Sequence, residues 1–130
     1  MSGARARVSV QRRGPVAVAH IDGDVDLSNA LDVERALAGG TVGADSVVLD
    51  LGGLASVDSA GLAVLSRLAS GRIVAGGTVR LVVPDDVLIR QTMQAAGLDS
   101  VVTIDRSVDA AVIALATIRG IPDTVRDVPG

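Results

Sequence analysis

Short runs of β-branched residues alternate with longer amphipathic segments along most of the chain. Runs such as residues 46–51 and 78–83 have the length and apolar character of buried strands. Each is followed by a segment in which apolar residues recur three and four positions apart, as in a helix packed on one face. Strands that alternate with helices build a mostly parallel sheet with right-handed crossovers. We therefore predict a single α/β domain with a sheet of four or five strands and about four helices.

Two segments near the N-terminus, residues 7–11 and 16–22, alternate apolar and polar side chains. They flank Gly14 and Pro15, residues typical of a tight turn, so we predict an antiparallel hairpin at the start of the mostly parallel sheet. Farther along the chain, one helix is expected after each of the residues Asp26, Asp58, Pro84 and Arg106.

The other segments carry weaker signals. Residues 52–57 include two glycines and are predicted to form a loop, and residues 101–104 a last short strand. Residues 121–130 contain two prolines and no periodicity. This composition predicts a flexible C-terminal tail after a domain of residues 1–120.

Composition limits the chemistry of the chain. Among its 130 residues there is no Cys, no Lys and no aromatic residue, and His20 is the one histidine. These absences exclude thiolate zinc sites, Schiff bases and the P-loop lysine. Although the core must be built from small apolar side chains, a chain of this length buries roughly 65 to 70% of its unfolded surface, which suffices without disulfides. We expect a protein that is not an enzyme, with no catalytic residue, cofactor or metal.

Charge and hydropathy limit the partners. The formal net charge is −3, and no aromatic side chain is present to stack on bases. Direct contact with nucleic acid is therefore not expected. No apolar segment has the length of a membrane span or of a signal-peptide core. We expect no membrane insertion and a cytoplasmic location.

Two acidic positions have alternative interpretations. The carboxylates of residues 22–26 alternate as in a cation loop, but few further oxygen ligands follow, so a turn with Asp26 or Ser28 as helix cap is favoured. Asp50 ends a strand whose sequence resembles the phosphoacceptor strand of receiver domains. Because the chain lacks the lysine that such domains use, we interpret Asp50 as an acid at a strand end.

The segment of residues 57–62 has a serine directly after a residue suited to cap a helix. A phosphate on Ser59 would lie beside the free N–H groups at the start of that helix, capped by Asp58, and Gly61 would allow a close backbone approach. Ser59 has two other interpretations. It can be an ordinary helix-start residue, or a nucleophile with His20 and Asp22, although it is not in a G-x-S-x-G motif.

Four segments resemble, in order and spacing, elements of STAS domains, and more closely those of the bacterial anti-sigma factor antagonists. They are Gly23-Asp24-Val25-Asp26, Val47-Val48-Leu49-Asp50-Leu51, Val57-Asp58-Ser59-Ala60-Gly61-Leu62 and Ala96-Gly97-Leu98. The first is similar to a G-E-L-D element and the third to a D-S-[SAT]-G-L signature. Asp24 stands where Glu is more usual, and Ala60 where Ser or Thr is frequent. The resemblance spans residues 8–119 and implies a single STAS-like domain.

The resemblance also implies a function. Ser59 is then the phosphoacceptor, and the partner-binding switch consists of Asp26, Asp58, Ser59, Gly61 and Leu62. In the family, the unphosphorylated antagonist binds an anti-sigma factor that is also a serine kinase, which frees the sigma factor. That kinase phosphorylates the antagonist with its own ATP and so ends binding, and a phosphatase acting on the phosphoserine restores it.

STAS domains also occur in another functional class. They serve as non-switching scaffolds, or as regulatory subunits of transport or stress-signalling complexes. In that alternative Ser59 is only a helix cap.

Overall fold

The computed structural model describes residues 6–83 and 85–116. Six strands lie in this part of the chain, namely β1 (Arg7–Arg13), β2 (Val16–Val25), β3 (Ser46–Asp50), β4 (Leu54–Val57), β5 (Thr78–Val82) and β6 (Thr103–Asp105). Four helices are α1 (Ala30–Gly40), α2 (Ser59–Val74), α3 (Val87–Ala95) and α4 (Leu98–Val101). A fifth, α5, begins at residue 108 and is described to residue 116. The predicted α/β class is confirmed.

The strands form one sheet in the order β1-β2-β3-β5-β6, with β4 paired to β2 alone. β1 is antiparallel to β2, which confirms the predicted hairpin, and the other pairs are parallel. β4 is the strand that raises the count above the expected four or five. The prediction of a loop at residues 52–57 is wrong for residues 54–57, because they pair with the carboxyl end of β2, about thirty residues away.

Apolar residues cover both faces of the sheet. Alternate residues of β3 point to opposite faces, so Val47 lies in a larger core with α1, α2 and α3, and Val48 in a smaller one. Ala111, Val112 and Leu115 of α5 pack into the smaller core. β3 is central in the sheet and, as predicted, buried, with both faces covered.

Helix α1 starts later than expected. Its N-cap residue is Asn29, so the prediction of Asp26 or Ser28 as the cap is wrong. The chain first makes a turn over residues 27–29, in which the Asp26 carbonyl accepts bonds from the N–H groups of Asn29 and Ala30. The acidic segment 22–26 is also no loop, since its first four residues belong to β2.

The C-terminal half follows the prediction with small changes. Asp86 caps α3 by accepting from the Leu88 and Ile89 N–H groups, and Gly97 follows the helix with a φ of +77°. Val101 belongs to α4 rather than to the last strand, which begins at Thr103. Among the described helices, none is long and apolar enough for a membrane crossing. Pro84, the end of the predicted last helix and the predicted tail at residues 121–130 lie outside the described residues.

Candidate functional site

Ser59 is the first residue of α2, at the carboxyl edge of the sheet. Asp58 is the N-cap residue, and its Oδ1 accepts a hydrogen bond of 3.1 Å from the Gly61 N–H. The predicted cap is therefore confirmed. Ser59 is exposed, and its hydroxyl has no hydrogen bond within the described part of the chain. The hydroxyl is therefore accessible from solvent while the helix is folded.

Helix α2 begins here because strand β4 ends here. Val57 pairs with Val25 of β2, and the Asp58 N–H continues the pairing with a 3.1 Å bond to the Val25 carbonyl. Gly61 then packs on this strand pair. A Cβ at Gly61 would lie 2.6 Å from Val57 Cγ2 and 2.8 Å from Val25 Cγ1, distances that real Cβ atoms do not adopt. A glycine is needed for the helix to approach the sheet this closely.

The five predicted switch residues divide between the surface and the interior. Asp58 and Ser59 are exposed and Asp26 is half-buried, and all three lie at the carboxyl edge of the sheet. Gly61 is buried, and Leu62 is half-buried against the larger core. The structure therefore leaves the first three available to a partner, whereas Gly61 positions the helix that carries Ser59.

Asp26 is held by the turn that follows β2. Its carboxylate accepts from the Ser28 N–H at 2.9 Å and from the Ser28 hydroxyl. The Asp26 N–H donates to Asn29 Oδ1 at 2.9 Å, and Asn29 Nδ2 donates to the Asp24 carbonyl at 2.8 Å. Both bonds from Ser28 lower the pKa of Asp26 below its ordinary value, and the bond from the hydroxyl has the larger effect. Asp26 is therefore ionised at neutral pH.

The Asp58 carboxylate joins this turn to α2. While Oδ1 caps the helix, Oδ2 accepts a 3.2 Å hydrogen bond from the Leu27 N–H. The Leu27 side chain is 82% exposed. Leu54 and Leu65, two other leucines near the helix start, are buried in the core. Sequence inspection missed this link, because residues 27 and 58 carry no local signal that they meet.

The site is negatively charged. The carboxylates of Asp26 and Asp58 accept from hydroxyl or N–H groups, and neither forms an ion pair with an arginine in residues 6–83 and 85–116. Arginine is used elsewhere, in the pairs Arg13–Asp109, Arg67–Glu34 and Arg80–Asp105. No group of three or more acidic or histidine side chains in the described ranges is arranged to hold a metal ion. The site thus presents negative charge to whatever approaches it.

The structure does not bring together Ser59, His20 and Asp22, the residues of the hypothesis that Ser59 is a nucleophile. In β2, Ala19 and Ile21 point into the larger core, on the side of the sheet where α2 lies. His20 alternates with them and faces the other side, as does Asp22. His20 instead contacts Asp50, with Nδ1 2.7 Å from Oδ2. Ser59 therefore has no histidine base beside it.

Residues 7–111 match the sequence model of the STAS domain family. No curated protein matches the chain significantly. Among solved structures, an anti-sigma factor antagonist from Mycobacterium paratuberculosis is similar, with a TM-score of 0.73 and 20% identity. That match covers 85% of this chain and 93% of the other. These values establish a shared fold.

A second protein of similar structure, SpoIIAA, is solved in two forms. The anti-sigma factor antagonist SpoIIAA in its unphosphorylated form has a TM-score of 0.69 and 14% identity, covering 88% of this chain and 97% of SpoIIAA. Bacillus SpoIIAA is also solved in a phosphorylated form, with a TM-score of 0.64 and 14% identity, covering 84% and 99% of the two chains.

The third is the murine anion transporter Slc26a9, with a TM-score of 0.67 and 18% identity. The match covers 79% of this chain but 18% of the transporter.

The family match spans most of the described residues, from β1 to α5, and includes the segment around Ser59. The chain belongs to the STAS domain family.

Proposed function

We propose that the protein is an anti-sigma factor antagonist whose binding is controlled at Ser59. Unphosphorylated, it binds an anti-sigma factor that is also a serine kinase. Phosphorylation of Ser59 by that kinase ends binding, and a phosphatase restores it. The observation that carries this proposal is the position of Ser59, exposed at the first residue of α2 beside the carboxylate of Asp58. The fold shared with SpoIIAA, solved with and without phosphate, supports it.

A phosphate at Ser59 would change the charge of the surface and would leave α2 folded. It adds about −1.5 to −2 charges near pH 7. The N–H groups and positive dipole end at the start of α2 stabilise such charge, so the helix survives phosphorylation. A partner that binds unphosphorylated Ser59 beside Asp26 and Asp58 would then meet extra negative charge. It would also have to displace the water bound to the phosphate. Both effects oppose binding.

The proposal is of a binding protein that uses no cofactor and works in the cytoplasm, where sigma factors act. Its one histidine is engaged with Asp50 on the other side of the sheet from α2. The acidic surface around Ser59 suits a partner protein with positive charge and does not suit nucleic acid, whose phosphates it would repel.

The test uses each anti-sigma factor kinase encoded in the same genome, purified and incubated with the protein and ATP. Mass spectrometry should locate the phosphate on Ser59, and Ser59→Ala should abolish it. Ser70→Ala is the matched control, because Ser70 is an exposed serine of the same helix. In pull-downs, Ser59→Ala should bind the kinase as the unmodified protein does, and Ser59→Asp should lose binding. Absence of phosphate on Ser59, with equal binding by all variants, would refute the switch.

A second candidate function is that of a non-switching scaffold or regulatory subunit. The similarity to part of the Slc26a9 transporter favours it, because that protein contains this fold within a much longer chain. Ser59 would then serve only to start α2. In this case Ser59→Ala and Ser59→Asp would bind a partner equally and differ only slightly in stability.

A further inference from the structure

We infer that Leu27 is the apolar side chain that anchors the partner, and that the Asp58 carboxylate holds it in position beside Ser59. This inference rests on the proposed function and deepens it. It names Leu27 as the contact residue and describes the surface of the partner that would receive it. The partner is a protein whose surface has an apolar recess bordered by arginine or lysine.

The first observation is the exposure of Leu27. A large apolar side chain that is 82% exposed is not used by the core, although the residues that flank the turn, Val25 and Ala30, are buried. Single exposed leucines are common on protein surfaces. Leu27 differs from the other exposed apolar residues in its place, because its N–H donates to Asp58, the residue that precedes Ser59.

The second observation is how this turn is held. The Leu27 N–H donates to Asp58 Oδ2 at 3.2 Å, and the next N–H, that of Ser28, donates to Asp26 at 2.9 Å. The Asn29 side chain accepts from the Asp26 N–H and donates to the Asp24 carbonyl. A side chain on a backbone fixed in this way loses little conformational freedom when a partner buries it, which favours its use as an anchor.

The third observation is the charge around Leu27. The Asp58 carboxylate accepts from the Leu27 N–H and the Asp26 carboxylate from the next N–H along the chain, and neither has an arginine partner among the described residues. Hydrogen bonds from Ser28 keep Asp26 in its charged form by lowering its pKa. An apolar contact next to carboxylates without an arginine partner is complementary to an apolar recess with a basic rim.

The same carboxylate connects the anchor to the switch. Asp58 uses one oxygen for the start of α2 and the other for Leu27. A phosphate on the adjacent Ser59 would repel this carboxylate and compete for the N–H groups at the helix start. Phosphorylation would thus weaken the Asp58–Leu27 bond and loosen the turn that carries the anchor, in addition to adding charge.

The binding test compares Leu27→Ser with Val74→Ser by calorimetry against the purified anti-sigma factor kinase that binds the unmodified protein. Val74 is the matched control. It is 87% exposed but ends α2, roughly 22 Å along the helix axis from Ser59. We expect Leu27→Ser to raise the Kd by about 10-fold or more, and Leu27→Met and Val74→Ser to change it less than about 2-fold.

Equal affinity of Leu27→Ser and the unmodified protein would overturn the anchor and leave the proposed function standing. If none of the kinases binds the unmodified protein, the proposed function and the anchor both fall. Circular dichroism of the variants verifies that a loss of binding does not come from unfolding.

The positioning by Asp58 is tested without any partner, by NMR of the Leu27 amide. In Asp58→Ala this amide should exchange with solvent several-fold faster, because it loses its acceptor, and Asp58→Asn, which keeps an oxygen there, should restore part of the protection. Ser59→Glu should speed exchange in the same direction. An unchanged Leu27 amide in Asp58→Ala would overturn the positioning role.

Discussion

The Nδ1 atom of His20 lies 2.7 Å from Oδ2 of Asp50, at directly paired positions of β2 and β3. The other Asp50 oxygen accepts from the Gly52 N–H at 2.9 Å. Asp50, whose strand resembles the phosphoacceptor strand of receiver domains, therefore has both carboxylate oxygens in contact with other groups of the protein. It also lies on the side of the sheet away from α2, so it is separate from the Ser59 site.

We predict that this pair contributes to stability and not to partner binding. Asp50→Ala leaves both the His20 ring and the Gly52 N–H without their acceptor, so it should lower the free energy of unfolding by about 1–3 kcal/mol. A double-mutant cycle with His20→Ala, measured by urea denaturation, should give a coupling of about 0.5 kcal/mol or more. Additive effects of the two substitutions would contradict a direct interaction.

Two glycines of α2 should respond oppositely to alanine. At Gly61 a Cβ would lie within 3 Å of the Val57 and Val25 side chains, so Gly61→Ala should destabilise the fold by about 1–3 kcal/mol. At Gly71 nothing lies within 4 Å of an added Cβ. Gly71→Ala should therefore stabilise the protein by about 0.5–1 kcal/mol, because alanine restricts the unfolded chain and favours the helix. Thermal unfolding measures both, and equal effects would be inconsistent with the packing described for Gly61.

The helix cap should matter more for stability than the serine beside it. Asp58→Ala removes the acceptor of two N–H groups, those of Gly61 and Leu27, and should cost about 1–2 kcal/mol. Ser59→Ala removes a hydroxyl that makes no hydrogen bond in the described residues, and should cost well under about 1 kcal/mol. Chemical denaturation of the two variants should rank them in this order. The reverse order would mean that Ser59, rather than Asp58, caps α2.

The ion pair between α1 and α2 predicts a pH dependence. Arg67 donates to both Glu34 oxygens, at 2.7 and 3.0 Å, and these bonds lower the pKa of Glu34 below its ordinary value. A carboxyl group with a lowered folded-state pKa stabilises the fold above its unfolded pKa, about 4.3, and loses this contribution as the pH falls through the folded value. The pair is exposed, so the effect should be small and should weaken with salt.

The comparison for this pair is Glu34→Gln, which cannot ionise. The urea midpoint of the unmodified protein should exceed that of Glu34→Gln at pH 7, and the difference should shrink as the pH is lowered below about 4. A difference that grows toward acid pH would show that Glu34 does not gain its stability from the charge of Arg67.

The sequence alone determines the features that depend on neighbours along the chain. Local patterns predict the hairpin at Gly14-Pro15, the buried strand that begins at residue 46 and the start of α2 after its cap Asp58, and the structure contains all three. Backbone preferences, helix capping and the period of apolar residues act over a few positions, so they can be inferred from the order of residues. The same local patterns support the similarity of residues 57–62 to the family signature.

The tertiary structure decides which distant residues meet. β4 is a strand only because β2 offers it a partner, and residues 54–57 alone have no pattern that distinguishes them from a loop. His20 reaches Asp50, and Leu27 reaches Asp58, across separations of about thirty residues. These contacts depend on the order and register of strands, which the closure of the whole core sets and no local pattern encodes. The amino-acid sequence thus indicates Ser59 as the candidate site, whereas the fold determines that the turn of residues 27–29 lies next to it.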